Sequence, residues 1–232
     1  MPTSAAHPVL LDIDGTLVDS NEAHAKAWAE AFRAYGYAFC AADLQPLIGM
    51  GGDKVMATLV PGLAPDDGQL GQKIAEKRSR LFLAEYASNL KPAPGARDLL
   101  LALRQRDCTL IVASSAKNEE LATLLRAARI EDLIEGAATA DDADKSKPDP
   151  DIVQAALQKA GASPAHAVML GDTPYDILAA HAAGVRIITV RCGGWREPEL
   201  GDAEAVYDDP ADVLAHLNRE PLSRLFPSPV RT

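Results

Sequence analysis

Val9-Leu10-Leu11-Asp12-Ile13-Asp14-Gly15-Thr16 is the stretch on which the fold turns. An apolar run that stops at acids and a glycine reads as a buried strand entering a loop. Side chains two apart on a strand point the same way, so Asp12 and Asp14 can face one site. Further apolar runs follow: Thr109-Leu110-Ile111-Val112-Ala113 before Ser114-Ser115, Ala167-Val168-Met169-Leu170 before Gly171-Asp172, and Arg186-Ile187-Ile188-Thr189-Val190. A weaker strand is expected near 133–137. Helical patterns separate them, at 96–106, 117–128, from Asp151, at 175–183 and from Pro210. Strands that are apolar throughout, alternating with helices, predict an α/β fold with a doubly wound parallel sheet covered on both faces.

The stretch between the first strand and Gly95 is different. Residues 20–35 read as a helix with Ser20 as N-cap and Ala23, Ala27, Ala31 and Tyr35 at helical spacing. Beyond it, short helical patterns alternate with turn signals at Pro46, Gly49, Gly51-Gly52, Pro61-Gly62, Pro65 and Gly68. A longer helix is expected over about 69–88, and no strand is expected over 37–90. The reading is therefore an α/β core of residues 1–18 and 92–232, with a helical unit of residues 19–91 inserted after the first strand. The tail from Asn218 to Thr232 holds three prolines and is expected to be poorly ordered.

The formal net charge is −10. That disfavours nucleic acid and anionic membrane as partners, since both reward Lys and Arg clusters. No uncharged run approaches the roughly 20 residues of a membrane span, and the N-terminus lacks the basic segment of a signal peptide. Cys40, Cys108 and Cys192 are odd in number and far apart, which fits reduced thiols in a cytoplasmic protein.

In open α/β sheets ligands bind beyond the carboxyl ends of the strands. There the sequence places Asp12, Asp14, Ser114, Ser115, Asp172 and, one helical turn on, Asp176. A polar loop, Lys145-Ser146-Lys147-Pro148-Asp149-Pro150-Asp151, opens the helix between them. Clustered carboxylates repel and raise one another's pKa. A hard divalent cation such as Mg²⁺ removes that penalty, while a lysine and a serine suit a phosphate.

These motifs, in this order, resemble those of the haloacid dehalogenase superfamily in its phosphatase branch. The resemblance runs from about Val9 to Asp212. It implies a Rossmann-like core and a phosphatase mechanism in which Asp12 is the nucleophile and Asp14 the acid/base. It implies phosphate binding by Ser114 and Lys147, with backbone N–H groups near Gly15 and Ser115; Thr16 completes the first motif. It implies Mg²⁺ held by Asp12, the backbone carbonyl of Asp14, Asp172 and Asp176. The helical insert resembles the cap of β-phosphoglucomutase-like and phosphoglycolate phosphatase-like members.

In the cap, His24 resembles a histidine that β-phosphoglucomutases carry, or else is a helix residue at the hinge. Lys54, in the glycine-rich turn Gly49-Met50-Gly51-Gly52-Asp53-Lys54, is placed to reach over the crevice to a substrate anion. One of Lys77 and Arg78 is expected to face the substrate. Trp195 reads as loop packing. The expected partner is a small phosphorylated metabolite, and the expected reaction its hydrolysis. Three rivals stand beside it. A phosphonate hydrolase is similar in the Met50-Gly51-x-x-Lys54 segment, but those enzymes have Ala where this chain has Asp14. A sugar-phosphate mutase would return the phosphoryl group to a sugar hydroxyl. A catalytically silent binding domain would be expected to have lost Asp12, Asp14 or Lys147.

Overall fold

The computed structural model of the protein describes residues 7–64, 70–226 and 228. In chain order its elements are β1 (His7–Leu11), β2 (Val18–Asp19), α1 (Asn21–Ala34), α2 (Ala41–Leu44), α3 (Gly52–Leu59) and α4 (Leu70–Leu81). There follow β3 (Lys91–Pro92), α5 (Ala96–Arg104), β4 (Cys108–Ala113), α6 (Asn118–Ala128), β5 (Gly136–Ala138) and α7 (Asp151–Ala160). The last are β6 (Val168–Gly171), α8 (Pro174–Ala182), β7 (Arg186–Val190), α9 (Glu197–Leu200), β8 (Val206–Tyr207), α10 (Pro210–His216) and α11 (Leu222–Leu225).

Six strands form one parallel sheet in the order β5-β4-β1-β6-β7-β8. The chain leaves β1 for β4 on one side and later returns to β6 on the other. The strand order therefore reverses at β1, which opens a crevice at its carboxyl end. Alternation along the strands divides the core in two. Val9, Leu11, Leu110, Val112, Val168 and Leu170 pack with α5, α6, α10 and α11 on one face. Leu10, Ile111, Ala113, Met169 and Ile187 pack with α7, α8 and α9 on the other. Both strand faces are buried, which is why the strands read as unbroken apolar runs.

Helices α1 to α4 build a separate apolar cluster around Trp28, Phe32, Leu44, Val55, Met56 and Ile74. The entry to and exit from this insert are tied together by β2 and β3, which pair antiparallel, Val18 with Pro92 and Asp19 with Lys91. Two-residue strands carry no periodicity, so none was legible in the sequence. The long cap helix ends its α-helical part at Leu81 and continues as a π-helical turn over Phe82–Tyr86.

The expectation for the tail is corrected. Leu222, Leu225 and Phe226 are buried in the larger core cluster, and Asn218 Oδ1 accepts a hydrogen bond from Arg106 at 2.7 Å. Apolar burial outweighs the proline content as far as Phe226. The remainder of that tail, apart from Ser228, lies outside the described residues.

A candidate active site at the carboxyl ends of the strands

Leu11 ends β1, and the next backbone N–H, that of Asp12, donates to the Leu170 carbonyl of β6 at 2.9 Å. This brings the two acid-bearing strand ends together. Asp12, Asp172 and Asp176 are all buried, and each offers an oxygen within 4.8 Å of the others. The Thr16 hydroxyl sits between two of them, 3.2 Å from Asp12 Oδ2 and 3.0 Å from Asp172 Oδ1. Lys147 is fully buried, its ammonium 2.5 Å from Asp12 Oδ1 and 2.8 Å from Asp176 Oδ1.

Burial pushes the Asp12 carboxyl up to about 7; Lys147 opposes this, while Asp176 and Asp14 add to it. Burial, then Asp12 and Asp176, also raise Asp172 well above the usual carboxylate range. For Lys147 burial favours the neutral amine, but the charges of Asp12 and Asp176 win and raise it. One lysine thus pairs with two of three clustered buried carboxylates, a donor set of hard oxygens that suits a divalent cation.

Glycines let these groups approach. Gly15 has φ +76°, and a Cβ there would lie 2.2 Å from Asn21 Nδ2 and 2.3 Å from Asp172 Oδ2. At Gly193 a Cβ would lie 1.6 Å from Asp172 Oδ2. Asn21 donates to Asp172 Oδ2 at 3.0 Å and to the Gly193 carbonyl at 2.8 Å. Sequence reasoning missed both Asn21 and Gly193. Asn21 reads as an ordinary first helical residue, and Gly193-Gly194 as a loop before Trp195. Trp195 packs edge-on against Tyr175 with ring centroids 5.9 Å apart, as its loop reading anticipates.

Asp14 faces the cap. Ser20 occupies the N-cap position of α1 but makes no capping bond with its side chain. Instead its hydroxyl donates to Asp14 Oδ1 at 2.5 Å, which corrects the capping role expected for that side chain. His24 Nε2 lies 2.7 Å from the same oxygen, and the imidazole stacks on Phe82 at 4.0 Å. Burial alone would raise the Asp14 carboxyl, but His24, Ser20 and Arg78 together hold it below the usual range. Arg78 Nη2 reaches His24 Nδ1 at 2.5 Å, and Arg78 Nη1 donates to Glu120 Oε1 and Oε2 at 2.7 and 2.5 Å. A chain of contacts therefore joins Asp14 through cap residues to α6 of the core. Nothing in the sequence around Glu120 singled it out, because its partner lies 42 positions away.

Ser114 is buried at the end of β4, and its hydroxyl accepts the Ala116 N–H at 3.1 Å. Ser115 lines the chamber between core and cap. The Gly15 N–H is taken by the Val18 carbonyl at 2.8 Å, and the Thr16 N–H by Ile13 at 3.3 Å. Lys54 does not hang over the crevice: it pairs with Asp149 at 2.7 Å, tying the cap to the loop that carries Lys147. Asp53 lines the chamber in its place. Of the pair on α4, Arg78 faces the chamber, and Lys77 is absent from its lining.

Residues 9–190 match the family of haloacid dehalogenase-like hydrolases. The chain belongs to that family. It is 33% identical over 217 residues to a phosphoglycolate phosphatase of Rhodospirillum rubrum, covering 88% of each chain. It is 30% identical over 205 residues to the validoxylamine A 7'-phosphate phosphatase of Streptomyces hygroscopicus subsp. limoneus, covering 88% of this chain and 91% of that one. A crystal structure of a hydrolase from Pseudomonas syringae superposes with a TM-score of 0.84 at 28% identity, over 93% of this chain and 98% of that one. The fold class is thus that of the family, and the chain is one of its enzymes.

Proposed function

We propose that this phosphatase is Mg²⁺-dependent and hydrolyses a small phosphate monoester through an aspartyl-phosphate at Asp12. The observation that carries the reading is the meeting of Asp12, Lys147, Asp172 and Asp176 in one buried cluster beside Asp14. Asp12, Asp172 and Asp176 would hold the cation, with the Asp14 carbonyl as the family resemblance implies; when bound it neutralises charge between nucleophile and phosphate.

In the first half-reaction an Asp12 carboxylate oxygen forms a bond to phosphorus and the bond to the ester oxygen breaks. Asp14 delivers a proton to that leaving oxygen. In the second, Asp14 takes a proton from water, the water oxygen attacks phosphorus, and the bond to Asp12 breaks. The contacts with His24 and Ser20 hold Asp14 ionised, the form used in the second step. For the first step Asp14 must first take a proton from water; His24, whose Nδ1 accepts from Arg78, presents its Nε2–H to Asp14 Oδ1 and orients that carboxyl. Lys147 draws charge from the phosphoryl oxygens, and Ser114 and Ser115 lie at the strand end that faces them. The cap excludes water and selects the leaving group.

A silent binding domain is disfavoured because Asp12, Asp14 and Lys147 are all present and converge. One observation favours the mutase reading, the placement of His24 against Asp14. The deciding experiment incubates the enzyme with β-glucose 1-phosphate, a trace of the bisphosphate and Mg²⁺, following free phosphate and glucose 6-phosphate. Phosphate release with little isomerisation supports the hydrolase, and fast isomerisation with negligible phosphate release overturns it. The three free thiols and the acidic surface support a cytoplasmic setting and a small metabolite, rather than nucleic acid, as the partner.

A further inference from the structure

The chamber between core and cap has a volume of about 480 Å³, room for a phosphorylated sugar or a molecule of that size. Beyond the reaction centre its wall carries the carboxylates of Asp53, Glu120 and Asp144 and the cations of Arg78 and Lys117. Arg78 is not free to meet a ligand anion. Its guanidinium is held by both oxygens of Glu120 and lies 5.4 Å from the ring centres of Trp28 and Phe82. Glu120 is only 1% exposed and also accepts from the Ser79 hydroxyl at 2.7 Å. Although burial alone would raise its carboxyl, Arg78, His24 and Ser79 hold it below the usual range, so the pair is ionised and mutually neutralised.

Lys54, from the glycine-rich turn at the start of α3, is occupied by Asp149. What remains facing the leaving group is Asp53, Asp144 and the exposed Lys117, two carboxylates against one ammonium. Asp53 already accepts from Ser146, and ionised carboxylates accept hydrogen bonds without donating them. Hydroxyl and ammonium groups donate. A second phosphate or carboxylate placed here would meet the like charges of Asp53 and Asp144, with the Lys117 ammonium as the facing cation.

We infer that the substrates are monophosphate esters whose leaving group carries hydroxyls or an amine and no second anion, and that Glu120 enforces this by neutralising Arg78. The inference rests on the phosphatase reading above. Glu120 is a specificity-determining residue in this account, acting through Arg78 rather than on the reacting atoms.

The test compares kcat/KM of the full-length enzyme with Mg²⁺ for ribose 5-phosphate and glucosamine 6-phosphate against phosphoglycolate, fructose 1,6-bisphosphate and pyrophosphate. The neutral and amino esters are expected to lead by about tenfold or more, mainly through KM, the ratio expected from one unfavourable charge contact. Glu120→Gln should narrow the gap for phosphoglycolate about tenfold. Asp144→Asn, in an exposed loop, should narrow it in the same direction and serves if Glu120→Gln does not fold. Equal or higher kcat/KM for the anionic substrates overturns the inference, as does an unchanged gap in the variants that fold. Calorimetric binding of ribose 5-phosphate and phosphoglycolate to the Asp12→Asn variant with Mg²⁺ gives the preference without turnover. A reversed binding order overturns the inference. If no ester is hydrolysed by the wild type while ribose 5-phosphate binds more tightly, the phosphatase reading falls and the inferred leaving-group preference stands.

Discussion

Lys147 and Asp12, 135 positions apart in the chain, meet at 2.5 Å in a site where both side chains are buried. The lysine is also 2.8 Å from Asp176, so one ammonium balances carboxylates from the end of β1 and the first turn of α8. These contacts join the loop before α7 to the end of β1 and to α8. They tie the proposed nucleophile to a positive charge before any ligand arrives.

Asp12→Asn should abolish phosphate release, by about 10³-fold or more in kcat, because the amide is nearly isosteric but not nucleophilic. The circular dichroism spectrum and thermal midpoint should stay close to wild type, since burial penalises an amide less than an ionised carboxylate. Activity near wild type would remove Asp12 from the mechanism.

Lys147→Met should leave Asp12 and Asp176 as buried acids without their cation. In chelator the variant should melt below wild type, and Mg²⁺ should recover more of the midpoint in the variant than in the wild type. Calorimetric melts with and without Mg²⁺ check this. Identical metal-free midpoints would show that the buried ion pair contributes nothing to the fold.

Gly193→Ala should act as an indirect metal-site lesion. Its Cβ would occupy the space of Asp172 Oδ2, so Asp172 must move away from Thr16 and Asn21. The Mg²⁺ concentration for half-maximal activity should rise about 10- to 100-fold, the range seen when groups supporting metal ligands are lost. The same substitution at Gly194, where a Cβ meets nothing within 4 Å, tests whether φ +101° alone is costly. It should leave the Mg²⁺ requirement unchanged.

Arg78→Met should destabilise the protein by about 3 kcal/mol, because Glu120 is left as a buried charge without its partner. The pair also gives a pH dependence. Glu120 is held below its ordinary range in the folded protein, so acid protonates the unfolded chain first. The stabilisation is whole above about pH 4.3, the unfolded value, and is lost as pH falls through the lower folded value. Urea melts should show the gap between wild type and Glu120→Gln constant from pH 6 to 8 and shrinking below about pH 4.

Deletion of the chain after Asn218 should cost several kcal/mol. It exposes the sites filled by Leu222, Leu225 and Phe226, each worth about 1.5–3 kcal/mol when fully buried. A denaturation midpoint equal to that of the full chain would return this segment to the loose tail its prolines suggest.

Period and punctuation were enough to read the parallel α/β core from the sequence, because strands buried on both faces are apolar throughout and their ends are marked by Asp12, Ser114 and Asp172. The same local signals located Asp14 and, one helical turn past Asp172, Asp176, whereas Lys147 stands out from Lys145 only because its Lys-Pro-Asp-Pro-Asp frame resembles a motif of the family. Tertiary structure alone decided what the cap residues face. Lys54 and Arg78 look alike in sequence as free cations, yet Lys54 is claimed by Asp149 and Arg78 by Glu120. Asn21, Gly193 and Glu120 gave no signal because their roles depend on partners far along the chain. An ion pair or a close approach of this kind is a property of the distance between two elements, and only the packing of cap against core sets that distance.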